Sequence, residues 1–194
     1  MDLGARDDPV YCLLPKLHSQ RCVVIPPDNV HSSSKVKKRS HKYSFSMDAC
    51  FDRVVQSCIE QHGNRSWLYR PLRNALADLH HRPCPVVHSV ELWDNESGDL
   101  VAGEIGYHVG AIYTSMTGFF KASGSGTIQL VALAMALAQR NVCVWDLGMS
   151  MDYKLELGAR NIDRGEWIST VRQHRNDSIN WGPIERINVK QLIG

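Results

Sequence analysis

No two cysteines of the chain stand in CxxC spacing, and the six of them, at positions 12, 22, 50, 58, 84 and 143, form no Cys/His group with the intervals of a zinc site. No metal is therefore expected. Cys12, Cys22, Cys58 and Cys143 lie inside apolar or periodic segments, so free thiols in a reducing compartment are the expectation. Long apolar runs are missing too. The longest, Leu130–Ala138, falls far short of the ~20 residues that cross a bilayer, so no membrane span is expected. Met1–Pro9 carries charges and no apolar run. No secretory leader is expected there, and a cytoplasmic location is. There is no internal repeat. Excess charge is also absent: 22 Lys+Arg against 20 Asp+Glu leave a net +2, too little for a bulk nucleic-acid binder.

What is present suits a globular domain. The 194 residues are 43% hydrophobic and 22% charged, enough to bury a core without disulfide or metal staples. The length fits one domain with a small extension. Charge is uneven. Lys35, Lys37, Lys38, Arg39 and Lys42 fall in eight residues with no acidic one, and without them the chain sums to −3. Such a stripe on a mildly acidic body suits a phosphate backbone, or is a solvated loop.

Periodicity then orders the elements. Tyr11–Leu14 and Cys22–Ile25 are predicted as short strands, Ser32–Ser34 and the basic run as a loop, and Tyr43–Met47 as a strand. Asp48 is predicted to cap a helix whose apolar face is Phe51, Val54, Val55, Cys58 and Ile59 and which Gly63 stops. A second helix begins near Pro71. Val87–Trp93, Leu100–Tyr107 and Ala111–Met116 are predicted as an antiparallel meander of three strands. Lys121–Thr127 is a Gly-rich loop feeding a helix over Ile128–Gln139 that is apolar almost all round and so buried. A strand over Val142–Leu147, a short helix over Asp152–Leu157 and a helix opened by an Asp163–Glu166 capping box follow. The tail from Asn176 is weakly patterned. This order is α+β and resembles the GNAT (acyl-CoA N-acyltransferase-like) architecture, a mixed sheet with flanking helices. That plan divides the chain into an N-terminal extension (1–34), a GNAT-like domain (35–175) and a C-terminal tail (176–194).

Two motifs carry chemistry. Lys121, Gly124 and Gly126 lie between a strand and a helix, where free N–H groups, the helix dipole and a lysine can hold an anion. The plain alternative is a flexible Ser/Gly turn. Asp146 ends an apolar strand between Trp145 and Leu147. A carboxylate there is costly to bury unpaired, so it either accepts hydrogen bonds or does acid–base work.

Jointly, several pieces are similar to the leucyl/phenylalanyl-tRNA–protein transferase family. They are Lys37-Lys38-Arg39-Ser40, the helix Phe51–Cys58, Trp67, His88-Ser-Val-Glu-Leu-Trp93, Leu100-Val-Ala-Gly103, the strand pair Glu104–Met116, Phe119, Val144-Trp-Asp146, Leu157-Gly-Ala-Arg160 and Ile162-Asp-Arg164. They appear in family order over roughly Tyr11 to Ile168. The form Tyr113–Gly118 with Trp145–Met149 looks like a divergent branch of eukaryotic type.

The resemblance implies transfer of a Leu- or Phe-like amino acid from aminoacyl-tRNA to the N-terminal α-amine of an acceptor protein, as in N-degron formation, with no cofactor. Asp146 matches the family's strand-end aspartate and would orient the acceptor amine or take its proton. Trp67 matches a tryptophan near the terminal adenosine. Tyr113, with Ser115 beside it, matches the wall of the aminoacyl pocket, and Leu133 stands at a family aromatic position. Lys35, Lys37, Lys38 and Arg39, with the Lys121–Gly126 loop, would meet tRNA phosphates. For Trp67, Tyr113 and Leu133 plain core membership is the competing reading. Departures fall at Gly148, where bacterial members carry glutamine, at Met116, where they carry an acceptor-binding glutamate, and at Glu104, where their pocket has methionine. Two other readings compete: a tRNA- or degron-binding module without turnover, and a CoA-dependent N-acyltransferase using the Gly-rich loop.

Overall fold

A computed structural model describes residues 16–194. The strand expected at Tyr11–Leu14, and Cys12, lie outside the described residues. Chain order runs β1 (Gln20–Val24), α1 (Ser34–Arg39), β2 (Tyr43–Met47), α2 (Phe51–His62), α3 (Arg70–His80), β3 (Val87–Asp94), β4 (Leu100–Val109), β5 (Ile112–Phe120), α4 (Ser125–Gln139), β6 (Val144–Gly148), α5 (Asp152–Glu156), β7 (Arg160–Asp163), α6 (Arg164–His174), β8 (Ile184–Asn188) and α7 (Val189–Ile193).

All eight strands join one sheet in the order β7-β1-β6-β5-β4-β3-β2-β8. Every neighbouring pair is antiparallel except β5–β6, which is parallel. The expected meander is its centre, β3 to β5. Those strands are covered on both faces. On one, α4 packs Ile128, Val131, Leu133 and Leu137 against Phe45, Leu92, Tyr113 and Trp145. On the other, α2 and α3 bring Phe51, Val54, Cys58 and Leu76 against Val87, Ile105 and Phe119. The apolar circumference of α4 is explained by its surroundings, because α7 closes the side turned away from the sheet. A third cluster, Val23, Ile112, Val144 and Ile162 with Trp167, sits under α6.

Three local expectations change. The basic run is a helix and not a loop: the Ser33 hydroxyl accepts the Val36 N–H at 3.3 Å, and Val36 anchors the turn at 6% exposure. Asp48 does not cap α2. Cys50 occupies the cap position without a side-chain bond, while the Glu91 carboxylate reaches from β3 to accept the N–H groups of Ala49 (3.4 Å) and Cys50 (3.2 Å). Asp48 is thereby released to turn elsewhere, at φ +64. Finally, β1 and β8 come from the segments expected as extension and tail, and both are strands of the one sheet. Asp163 does cap α6, accepting the Glu166 N–H at 2.9 Å. Among the described residues no helix is long and apolar enough to cross a membrane.

Candidate active site

β5 and β6 run side by side from Ile112/Val144 to Thr114/Asp146, and then their pairing stops. A register shift opposite Ile105 and Gly106 leaves Met116 as the extra residue of β5 just beyond this point. Asp146 therefore stands where a parallel pair parts.

Its carboxylate has no exposure and four donors. Oδ1 accepts from Arg21 Nε at 3.1 Å and from the Gly148 N–H at 2.9 Å. Oδ2 is ion-paired with Arg21 Nη2 and accepts the Thr114 hydroxyl at 3.2 Å. A bidentate guanidinium is the partner a buried carboxylate needs. Gly148, at φ +78, turns its N–H back to Oδ1 without the strain a Cβ would bring. Lys154 fixes the same corner, donating to Leu147 O (2.6 Å) and Met149 O (2.8 Å), and burial lowers its pKa. The guanidinium of Arg21 lies 5.6 Å from the Trp167 ring centre.

A second network lies on the other face, since Trp145 and Asp146 are successive strand residues. Glu104 is 3% exposed. It accepts from Ser115 Oγ (2.5 Å), Tyr113 OH (3.3 Å) and Gln129 Nε2 (3.2 Å), while Trp145 Nε1 donates to Ser115 Oγ at 2.9 Å. Every bonded partner of Glu104 is neutral. Burial pushes its pKa up to about 7, against the opposing pull of the Ser115, Gln129 and Tyr113 bonds. Burial and the Glu104 charge likewise raise Tyr113 well above the ordinary phenol range. Gly106 makes room for this ring: a Cβ there would collide with the Tyr113 hydroxyl.

The basic helix and the Gly-rich loop meet. Arg39 Nη1 donates to Ser123 O at 2.9 Å and Nη2 to Tyr43 OH at 3.0 Å. Gly124 is left-handed (φ +78), and α4 starts at Ser125, inside the segment expected as loop. Lys35, Lys37, Lys38 and Lys121 stay exposed beside it, and Gly126 sits in the first turn of α4.

The sequence candidates thus fall into three groups: Asp146 with Gly148, Glu104 with Tyr113 and Ser115, and the basic set with Lys121, Gly124 and Gly126. Leu133 is fully buried in the same core cluster as Tyr113. Met116 packs with the α2 side. Trp67 is 41% exposed, a surface ring and not core. Arg21 and Lys154 were missed, being polar residues in segments with no motif. Gln129 had a signal, as the lone polar residue within the apolar run 128–138. Two clefts, of about 380 Å³ around Arg140 and Asn180 and about 360 Å³ between α2 and α3, touch neither Asp146 nor Glu104. Among the described residues, Cys143, His174 and Asp177 bring ligand atoms within 4.8 Å of one another at the amino end of β6.

A family model described as "Leucyl/phenylalanyl-tRNA protein transferase" matches residues 24–172. A protein of that name from Pseudomonas fluorescens SBW25 is 32% identical, with 82% of this chain aligned to 70% of its own length. One from Hyphomonas neptunium is 31% identical over 87% of this chain and 64% of its own. One from Zymomonas mobilis is 29% identical over 93% and 68%. Among solved structures, the C-terminal (DUF2156) domain of an Agrobacterium fabrum protein assigned as a lysylphosphatidylglycerol synthetase has a similar fold, with a TM-score of 0.54 at 11% identity over 84% of this chain and 66% of that one.

Proposed function

The chain belongs to the leucyl/phenylalanyl-tRNA protein transferase family, and from that premise we propose that it moves an amino acid from aminoacyl-tRNA to the N-terminal α-amine of an acceptor protein. The observation that carries this is the matched span itself. Residues 24–172 run from the end of β1 to α6 and include Asp146, Glu104, Tyr113 and the basic helix.

The chemistry asks little of the protein. The ester of a charged tRNA is already activated, and an α-amine of ordinary pKa ~7.7–8.0 is partly neutral at physiological pH. Positioning supplies most of the rate. Asp146, with all its acceptor sites occupied, suits an orienting role: it holds Arg21 and the Gly148 N–H at the strand end. Tyr113, Ser115 and Leu133 line the donor side, with Glu104 beneath them and Met116 at the bulge. Trp67 offers an open face for stacking on the terminal adenosine. Lys35, Lys37, Lys38, Arg39 and Lys121, with Gly124 and Gly126, take the phosphates.

We read the sheet as GNAT-like. The parallel β5–β6 pair that parts after Thr114/Asp146, with α4 as its crossover, supports this. A cytoplasmic location fits a substrate that is charged tRNA.

The test crosses a panel of charged tRNAs with peptides of all N-terminal classes. Transfer of labelled amino acid to a peptide, absent in Asp146→Ala, is the expected result. Salt-sensitive tRNA binding through Lys37–Arg39 without transfer from any charged tRNA would overturn the enzymatic reading.

A further inference from the structure

A third set of polar groups, with buried side chains at Asp48 and His88, bonds neither Asp146 nor Glu104. Asp48, at the end of β2, turns its carboxylate toward β3. Oδ1 accepts the Ser89 N–H at 2.9 Å, and Oδ2 meets His88 Nδ1 at 2.8 Å. His88 is fully buried, and its Nε2 lies 2.8 Å from His108 Nδ1 on β4. His108 is only partly buried. Trp181 stacks on its ring at 4.3 Å and 9° and reaches Tyr113 at 6.0 Å. Arg140 holds this roof by donating to Gly182 O, next to Trp181.

The hydrogen bonds dictate the tautomers. An ionised carboxylate only accepts, so His88 donates from Nδ1. Neutral His88 then accepts at Nε2 from His108 Nδ1–H, which leaves a lone pair on His108 Nε2. No described residue bonds that nitrogen. A proton arriving there lets His108 pass its Nδ1 proton to His88. The charge then rests as a His88 imidazolium against Asp48, away from the surface. Burial, reinforced by His88, holds the His108 pKa down at about 4, so the ring is neutral at physiological pH and a weak base on its own. The other titratable groups around Asp48 are His80 on α3, at 3.7 Å, Arg140 at the end of α4 and Tyr113 on β5.

The relay lies beside Tyr113, which the aminoacyl-transfer reading puts on the donor side. His108 is the register partner of Tyr113, and Tyr113 of Trp145, so the three share one row and one face of the sheet. Asp146 stands one residue further along and faces the other side of the sheet, with its four acceptor sites filled.

We propose that His108 is the proton acceptor of the transfer step, with His88 and Asp48 as positioning residues behind it, and this rests on the aminoacyl-transfer reading. The acceptor amine attacks the ester carbonyl carbon. The new C–N bond forms, the C–O bond to the tRNA ribose breaks, and the amine proton passes to His108 Nε2. The relay returns that proton to the departing ribose oxygen.

The experiment compares the full chain with His108→Gln, which keeps a polar partner for His88 but cannot take a proton, and with His108→Ala. Transfer kcat falls ~10²-fold in both, KM for charged tRNA is unchanged, and added imidazole restores His108→Ala. Full activity in His108→Gln, or loss in both variants without imidazole rescue, overturns the proposal. If the parent protein transfers nothing, the function reading fails instead. Imidazole nitrogen chemical shifts then decide the relay on their own: His108 protonated at Nδ1 and His88 at Nδ1 are expected, and a proton on His108 Nε2 at neutral pH overturns it.

Discussion

Asp146 and Glu104 are both carboxylates at the sheet centre, yet their surroundings differ in charge. Asp146 has a cation in bidentate contact, and Glu104 has only neutral donors. Removing the cation from Asp146 leaves a buried charge unpaired. Arg21→Met is expected to cost about 3 kcal/mol, the lower end for a broken buried pair, because Arg21 keeps 18% side-chain exposure. Urea unfolding of the two proteins measures it, and the loss shrinks in an Asp146→Asn background. Glu104 behaves otherwise. With a folded pKa of about 7 against 4.5 unfolded, the folded protein keeps a proton that the unfolded chain releases. Stability is full below that lower value, falls as pH rises through the window, and is level above it. The fall is on the order of 3 kcal/mol. Glu104→Gln is expected to flatten it, as read by denaturant midpoints across the same pH range.

At the scale of elements, α1 and the loop before α4 form one latch, because Arg39 bonds both Ser123 and Tyr43 with part of its guanidinium while its lysine neighbours face water. Lys37→Ala with Lys38→Ala is expected to weaken tRNA binding uniformly and to lower the salt slope by ~0.7–0.9 for each phosphate that is no longer neutralised. Binding titrations at several salt concentrations check it, with thermal stability unchanged. Most elements were legible in the sequence. α2, α3, β3 to β6 and α6 fall where period, Gly63, Pro71 and the Asp163 cap put them. α1 was not, because one apolar residue, Val36, among lysines gives no period to read. β8 failed similarly: Ile184-Glu-Arg-Ile-Asn188 is an edge strand with one neighbour and weak alternation.

For the whole molecule, the last nineteen residues matter more than their pattern suggests. β8 pairs with β2, α7 buries Val189 and Leu192 against α4, and Trp181 roofs His88 and His108. Deleting the chain from Ser178 is expected to lower the melting temperature by more than 10 °C on the scale of ~4 °C or less per kcal/mol. It should also expose apolar surface to a hydrophobic dye. An unshifted melt would show that the sheet closes without its eighth strand.

The sequence alone determined the local order of elements, the buried character of α4 and the family, since caps, period and motif order depend on near neighbours. Only the tertiary structure decided which partners Asp146 and Asp48 bond. Arg21 stands 125 residues from Asp146, and Asp48 stands 40 from His88. Such partners meet because the sheet orders its strands β1-β6-β5-β4-β3-β2, and strand order leaves no mark on the period of any one strand.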